Sequence, residues 1–165
     1  MKDYSKSHRR IFTDEICKRM HSNHNIIVVI GDIGYGFWDK TRAQFPNRVI
    51  NVGAAEQSMV GIGVGLALEG KIPIVYTISP FLLYRPFETI RNYINREKIP
   101  VKLVGAGRDK DYKLDGFSHW PLEDKKVMKI FKNINARWPK NYTEIPSIVE
   151  EMLSTEKPYY LNLRK

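Results

Sequence analysis

The 165-residue sequence has very little cysteine. Cys17 is its only one, so no disulfide can form within the chain. It has no apolar run as long as a membrane span, and the N-terminal MKDYSKSHRR is not followed by the apolar region of a signal peptide. These absences argue against a disulfide-stapled secreted scaffold and a helical membrane protein. We therefore expect a cytoplasmic protein.

Acidic residues are also fewer than basic ones: 27 Lys and Arg against 18 Asp and Glu give a formal charge of +9. The sequence has no Cys/His finger, no basic helix with heptads and no aromatic RNA-binding signature. Phosphorylated small substrates or an acidic partner chain explain the charge as well as nucleic acid does. His21 and His24 lie three residues apart without a third ligand, so we expect no metal site in this chain.

Short apolar runs alternate with helical patterns along the chain. The runs predict strands at 25–31, 48–53, 71–78, 99–107 and 158–165, with a weaker candidate at 133–139. The patterns predict helices at 4–22, 55–69, 86–97, 121–130 and 143–154. This alternation is typical of an α/β fold, a three-layer αβα sandwich around a mostly parallel sheet of about six strands, formed as one domain over 1–165.

Ligands on such sheets bind beyond the carboxyl ends of the strands. The segments GDIGYG, VGAAE, TISPF and GAGRD each follow a predicted strand, so we expect them to surround one potential binding site. GDIGYGF lacks the Lys-Ser/Thr of a P-loop and the glycine spacing of a dinucleotide loop. We interpret it as a turn at the end of a strand, with Tyr35 lining the substrate entrance.

The most apolar predicted helix lies within NVGAAEQSMVGIGVGLALEG, residues 51–70. A helix that is apolar all round is expected to be buried on all sides, and Gly61, Gly63 and Gly65 predict close packing against neighbours. Glu56 begins this helix. It is either an N-terminal acid stabilised by the helix dipole or a carboxyl group that exchanges a proton with a ligand, and both interpretations remain open on the residues alone.

The segment FPNRVINVGAAEQSMVGIGVGLALEGKIPIVYTISPFLLYRPFETIRN, residues 45–92, resembles the pyrimidine-binding domain of the transketolase family. IPVKLVGAG, DGFSHWPLED and KPYYLNLRK extend the resemblance over almost the whole chain. It implies the thiamine diphosphate-binding fold. It also implies that Glu56 hydrogen-bonds N1′ of the aminopyrimidine ring and shares a proton with it, which favours the imino tautomer that deprotonates the thiazolium C2.

The resemblance assigns further residues to the cofactor. Phe81 matches the phenylalanine that packs against the aminopyrimidine, and Tyr76 and Tyr84 are further candidate walls of that pocket. Arg85 is a candidate substrate contact, but the spacing in FLLYR differs from some family members. An arginine at the surface of a helix start is the alternative interpretation.

The resemblance also assigns residues to the substrate. His119, in DGFSHW, matches the first histidine of the family's loop over the substrate, and we expect a catalytic and substrate-binding role for it. Trp120 replaces the second histidine and cannot transfer a proton at neutral pH. Arg9 matches a position that could meet a substrate phosphate, whereas a solvated basic turn is the alternative that the HRR sequence favours.

The same resemblance implies the rest of the enzyme. In the family, the diphosphate and Mg²⁺ of the cofactor are held by a separate domain, and nothing in these 165 residues matches it. We therefore expect the pyrimidine-binding subunit of a split, transketolase-like transferase that is inactive alone. It would pair with a diphosphate-binding subunit, as an α₂β₂ assembly or around a homodimer, and move two-carbon ketol units between sugars or sugar phosphates. The alternative is a non-catalytic binding or regulatory module of the same fold.

Overall fold

The computed structural model of the chain describes residues 7–165. The residues 4–6 of the first predicted helix lie outside the described range. Six strands form one sheet with the order β2-β1-β3-β4-β6-β5, and every neighbouring pair is parallel. The strands are β1 (Ile26–Ile30), β2 (Val49–Asn51), β3 (Ile72–Ile78), β4 (Lys102–Ala106), β5 (Asn135–Arg137) and β6 (Tyr159–Leu163). The α/β fold predicted from the sequence is confirmed.

Helices connect the strands. They are α1 (His8–Ser22), α2 (Asp39–Gln44), α3 (Glu56–Leu68), α4 (Ser79–Tyr84), α5 (Phe87–Thr89) with a π-helical continuation (Ile90–Arg96), α6 (Asp124–Ile130) and α7 (Ile145–Ser154). The short helices α2 and α4 have no counterpart among the sequence predictions, because six residues are too few to show a helical period. Within residues 7–165, no helix combines the length and apolar character needed to cross a membrane.

The core lies on both faces of the sheet. Side chains of β1 alternate between the faces: Val28 and Ile30 pack against α1 and α7, whereas Val29 packs against α3 and α4. Strands covered on both faces have no polar side, which is why they are continuous apolar runs in the sequence. The helices on the second face place their N-termini at the carboxyl edge of the sheet.

Helix α3 is not buried on all sides, so that prediction is wrong. A stripe along α3, here called the α3 stripe, is exposed. It consists of Ser58, Gly61, Ile62, Gly65 and Leu68. The close-packing prediction holds for Gly63, whose added Cβ would lie 2.7 Å from Val75 Cγ2, but a Cβ at Gly61 or Gly65 would meet nothing within 4 Å. The stripe therefore leaves an apolar helix face uncovered.

Candidate functional site

Six side chains form a continuous row at the carboxyl edge of the sheet, each in contact with the next. They come from the start of α3, from α4 and the residue after it, from the loop that follows β4, and from the start of α1. In order along the row they are Glu56, Arg85, Phe81, His119, Tyr112 and Arg9. The structure therefore brings together five of the residues that the sequence singled out, and it adds Tyr112.

Glu56 lies at one end of this row, almost completely buried. Its side chain is 2% exposed and its Oε2 accepts a hydrogen bond from Arg85 Nη1 at 2.6 Å. Helix α3 begins at Glu56, so the carboxylate also lies in the positive field of the first turn. A buried carboxylate needs a cationic or hydrogen-bonding partner, because desolvation alone disfavours its charged form.

Phe81 lies at the centre of the row. The Arg85 guanidinium carbon lies 3.9 Å from the centroid of the Phe81 ring, and the His119 ring contacts Phe81 edge-on at a centroid distance of 4.9 Å. Phe81 is half-buried, so part of its side chain remains exposed at the carboxyl edge of the sheet. His119 is also half-buried, and Ser118 Oγ lies 2.9 Å from its Nδ1.

Arg9 forms the other end and is buried, not solvated as the HRR turn suggested. Its Nη1 donates to the Tyr112 hydroxyl at 3.5 Å, and its guanidinium lies 4.4 Å from the centroid of the Phe37 ring. Tyr112 in turn lies beside His119, with a ring-centroid distance of 5.8 Å. Within residues 7–165, no carboxylate lies within ion-pair distance of Arg9.

Tyr112 is the functional candidate that the sequence reasoning missed. Burial raises the pKa of its hydroxyl, while nearby Arg9 opposes that rise. Tyr112 packs over Gly107, where an added Cβ would lie 2.3 Å from the tyrosine ring and where φ is +90°. A glycine at the end of a predicted strand, followed five residues later by an aromatic, was the only available signal.

A buried polar network fixes the loop that carries Tyr112 and His119. Asn162 on β6 donates to Ser79 Oγ at 2.9 Å and to the Gly107 carbonyl at 3.1 Å. The Arg108 side chain donates to Asn162 Oδ1 at 2.8 Å and to the Pro139 carbonyl at 2.8 Å. Because these side chains are buried and paired, the network holds the start of the loop rigidly to the sheet.

Three predicted tyrosines lie outside the row. Tyr76 is fully buried in the core on the α1–α7 face and packs against Trp38, and the charge of nearby Arg9 acts on its hydroxyl, so it borders the Arg9 end of the row. Tyr84 donates to Glu123 Oε2 at 3.2 Å, and burial together with that carboxylate raises its pKa to about 12. Tyr35 is exposed and donates to Asp32 Oδ1 at 2.6 Å.

The GDIGYGF segment forms a turn at the end of β1, with positive φ at Gly34 and Gly36. Its backbone contacts α1, because Arg10 donates to the Gly36 carbonyl at 2.6 Å. The turn therefore borders the Arg9 end of the row. No group of three or more His, Cys, Asp or Glu in the described part of the chain could hold a metal ion, and His21 pairs with Gln44 instead.

An all-parallel sheet with a buried carboxylate and a half-buried aromatic ring at its carboxyl edge defines a ligand-binding α/β domain. The family model for the transketolase pyrimidine-binding domain matches residues 5–165. The chain belongs to this family, and membership implies dependence on thiamine diphosphate.

Curated relatives agree with this assignment. The chain is 34% identical over 120 residues to a subunit of the apulose-4-phosphate transketolase of Actinobacillus succinogenes, an alignment that covers 73% of this chain and 39% of that protein. It is 31% identical over 147 residues to 1-deoxy-D-xylulose-5-phosphate synthase of Corynebacterium glutamicum, covering 88% of this chain and 23% of that protein. The chain thus spans less than half the length of either relative.

A solved structure of a split gene transketolase, an inactive tetramer, has the same fold. It superimposes with a TM-score of 0.85 at 28% identity, over 97% of this chain and 51% of the other. The likeness therefore extends over nearly the whole of this chain and about half of its neighbour.

Proposed function

We propose that the chain is the pyrimidine-binding subunit of a split thiamine diphosphate-dependent transketolase-like enzyme, and that a separate subunit holds the diphosphate and Mg²⁺. The observation that carries the proposal is the row from Glu56 to Arg9. Along it lie, in spatial order, a buried carboxylate, an aromatic ring, a histidine and a buried cation. Two named relatives, a transketolase subunit and a synthase of a sugar phosphate, support ketol chemistry on sugars.

Glu56 and Phe81 suit an aminopyrimidine ring. A flat ring packed on the open part of Phe81 would direct an edge nitrogen towards Glu56 Oε2, the oxygen that already accepts a hydrogen bond in this structure. When bound, thiamine diphosphate supplies a carbon nucleophile that also serves as an electron sink. Glu56 holds the ring and moves a proton at its Oε2, which glutamine could not do because an amide does not titrate.

His119, Tyr112 and Arg9 suit the substrate. His119 lies against Phe81, so it would reach the substrate atoms closest to the cofactor ring. Arg9 lies beyond Tyr112, where its buried guanidinium would bind an anionic end such as a phosphate. This order along the row favours a sugar phosphate whose carbonyl end points towards Phe81.

The partner is supported by the α3 stripe. The stripe begins at Ser58, two residues after Glu56, so a chain docked on it would border the cofactor site. The relative named as a transketolase subunit and the neighbour described as a split gene product both favour a two-chain enzyme. We propose that the diphosphate-binding subunit covers this stripe and completes the site, within an α₂β₂ assembly.

The test mixes this chain with the diphosphate-binding subunit from the same genome, thiamine diphosphate and Mg²⁺, and measures ketol transfer. We expect activity only in the complete mixture, and Glu56→Gln to reduce kcat by about 100-fold or more, because the proton at Oε2 is lost. Glu69→Gln, at the exposed end of the same helix, is the matched control and keeps wild-type activity. Wild-type activity in Glu56→Gln would refute the role of Glu56.

A non-catalytic module is the second candidate, and Trp120 favours it. Its indole N–H donates to the Tyr112 carbonyl at 2.9 Å, so this side chain is a structural member of the loop and no second histidine is present there. A chain that assembles with the partner and binds thiamine diphosphate, yet transfers no ketol unit from any sugar phosphate tried, would support this candidate instead.

A further inference from the structure

The Arg85 side chain covers the two groups that the proposed function assigns to the pyrimidine ring. Its Nη1 lies 2.6 Å from Glu56 Oε2, and its guanidinium carbon lies 3.9 Å from the centroid of Phe81. One planar cation therefore bonds the carboxylate and also lies over the aromatic ring. No other described side chain makes both contacts.

We propose that Arg85 is a built-in occupant of the pyrimidine position, and that the ring of thiamine diphosphate displaces it on binding. This inference rests on the proposed function. A guanidinium and a 4-aminopyrimidine are both flat and carry amidine-type nitrogens in their planes. The guanidinium donates an N–H to the carboxylate, and the pyrimidine does the same once its ring nitrogen is protonated, so the exchange takes up one proton from solvent, which Glu56 and the ring nitrogen share. Glu56 and Phe81 therefore select this shape and charge, whichever group supplies it.

The two partners of Arg85 explain how it can leave. The Glu56 side chain is 2% exposed, but the Arg85 side chain is 47% exposed, so the arginine can rotate into solvent while the carboxylate cannot. An unpaired buried carboxylate is unfavourable, whereas a solvated arginine is not. Exchange of Arg85 for the ring keeps Glu56 paired in both states.

The exchange has a consequence for affinity. A ligand that must displace an internal group binds more weakly by the fraction of chains in which the site is open. Arg85 therefore lowers the apparent affinity of the chain for the pyrimidine ring. Removing Arg85 should raise that affinity, which is the opposite of what removing a ligand-contacting arginine would do.

The experiment titrates the full chain with thiamine diphosphate and Mg²⁺, and separately with 4-amino-5-hydroxymethyl-2-methylpyrimidine, using calorimetry and NMR. We expect Arg85→Met to bind the pyrimidine about tenfold more tightly than the wild type, because the open state becomes the main state. Arg91→Met, an exposed arginine on the π-helical segment, is the matched control and leaves the affinity unchanged.

A second readout follows Arg85 itself. Its side-chain N–H signal in the wild type should carry the ring-current shift of Phe81, lose that shift in Phe81→Leu, and lose it again when the pyrimidine saturates the site. An Arg85 signal that does not respond to Phe81→Leu would overturn the proposal, whatever the titrations show.

The outcomes separate the two proposals. If Arg85→Met binds the pyrimidine no better than the wild type, while Glu56→Gln abolishes binding, the displacement is refuted and the proposed function stands. If neither the wild type nor Arg85→Met binds the pyrimidine at millimolar concentration, the proposed function fails and the displacement fails with it.

Discussion

At the scale of single residues, burial and neighbouring charge act together on His8, the first residue of α1. His8 is buried, and its Nδ1 has no hydrogen-bond partner among the residues the structure describes. Burial lowers the pKa of His8, and the nearby Arg108 and Arg164 lower it further, while Glu144 and Asp111 oppose them. His8 is therefore held neutral in the folded chain at a pH where an exposed histidine begins to take up a proton.

This shift predicts a loss of stability in mild acid. Because the folded pKa lies below the unfolded value of 6.5, the contribution is present above pH 6.5 and is lost as the pH falls towards the folded pKa. We expect the thermal unfolding midpoint to fall more steeply from neutral pH into mild acid in the wild type than in His8→Gln. Equal slopes in the two chains would contradict the prediction.

The sequence predicted the residues of the row that lie in recognisable motifs, but not the other side chains that pack beside them. Glu56, Phe81 and His119 are at fixed places in recognisable motifs, and the structure brings them into one row. Tyr112 could not be predicted, because it lies in a loop without periodicity and reaches the row only by packing on Gly107. The sequence did not show which end of the row Tyr76 would adjoin, because the parity of a strand is not fixed by sequence, and the structure places it near Arg9 and Tyr112.

At the scale of elements, α3 shows which features of a helix could be predicted from its sequence and which could not. The predicted limits of this helix, 55–69, agree within a residue at each end with the observed Glu56–Leu68. The exposed side could not be predicted, because α3 has no polar side chain after Ser58 and therefore no pattern that marks a surface. The same lack of a pattern hid the difference between the glycines. Gly63 faces β3, whereas Gly61 and Gly65 face outwards.

The two kinds of glycine lead to opposite predictions. Gly65→Ala should stabilise the free chain by about 0.5–1 kcal/mol, since alanine favours a helix and its Cβ meets nothing within 4 Å. Gly63→Ala should destabilise it by about 1–3 kcal/mol, because the new Cβ would lie 2.7 Å from Val75 Cγ2. Chemical denaturation of both variants measures the difference, and changes of the same sign would contradict the packing of α3.

At the scale of the whole molecule, the proposed partner should cover the α3 stripe and leave the α1 face free. We expect Gly65→Leu to prevent assembly with the diphosphate-binding subunit, because a bulky side chain would stand in the docking surface. Lys18→Leu, exposed on the opposite face of the sheet, should assemble normally. Size-exclusion chromatography with light scattering measures this, and an active, assembled Gly65→Leu enzyme would place the interface elsewhere.

The sequence predicted the type of sheet and its number of strands, but not the order in which the strands lie. Alternating strand and helix patterns indicated a mostly parallel sheet of about six strands, and the structure has six, all parallel. The order in which they pair could not be obtained from the pattern, because each crossover can return to either side of the strands already in place. The weakest strand prediction, at 133–139, became β5 at the edge of the sheet.

That order has a consequence for how the chain is made. β5 precedes β6 along the chain, but β6 lies between β4 and β5, and β5 pairs with β6. During synthesis β5 therefore leaves the ribosome before the strand it pairs with exists. β6 also carries Asn162, the anchor of the loop with Tyr112 and His119. One late segment therefore completes both the edge of the sheet and the anchoring of the loop with Tyr112 and His119, so we expect the candidate site to form only after Leu163 has emerged from the ribosome.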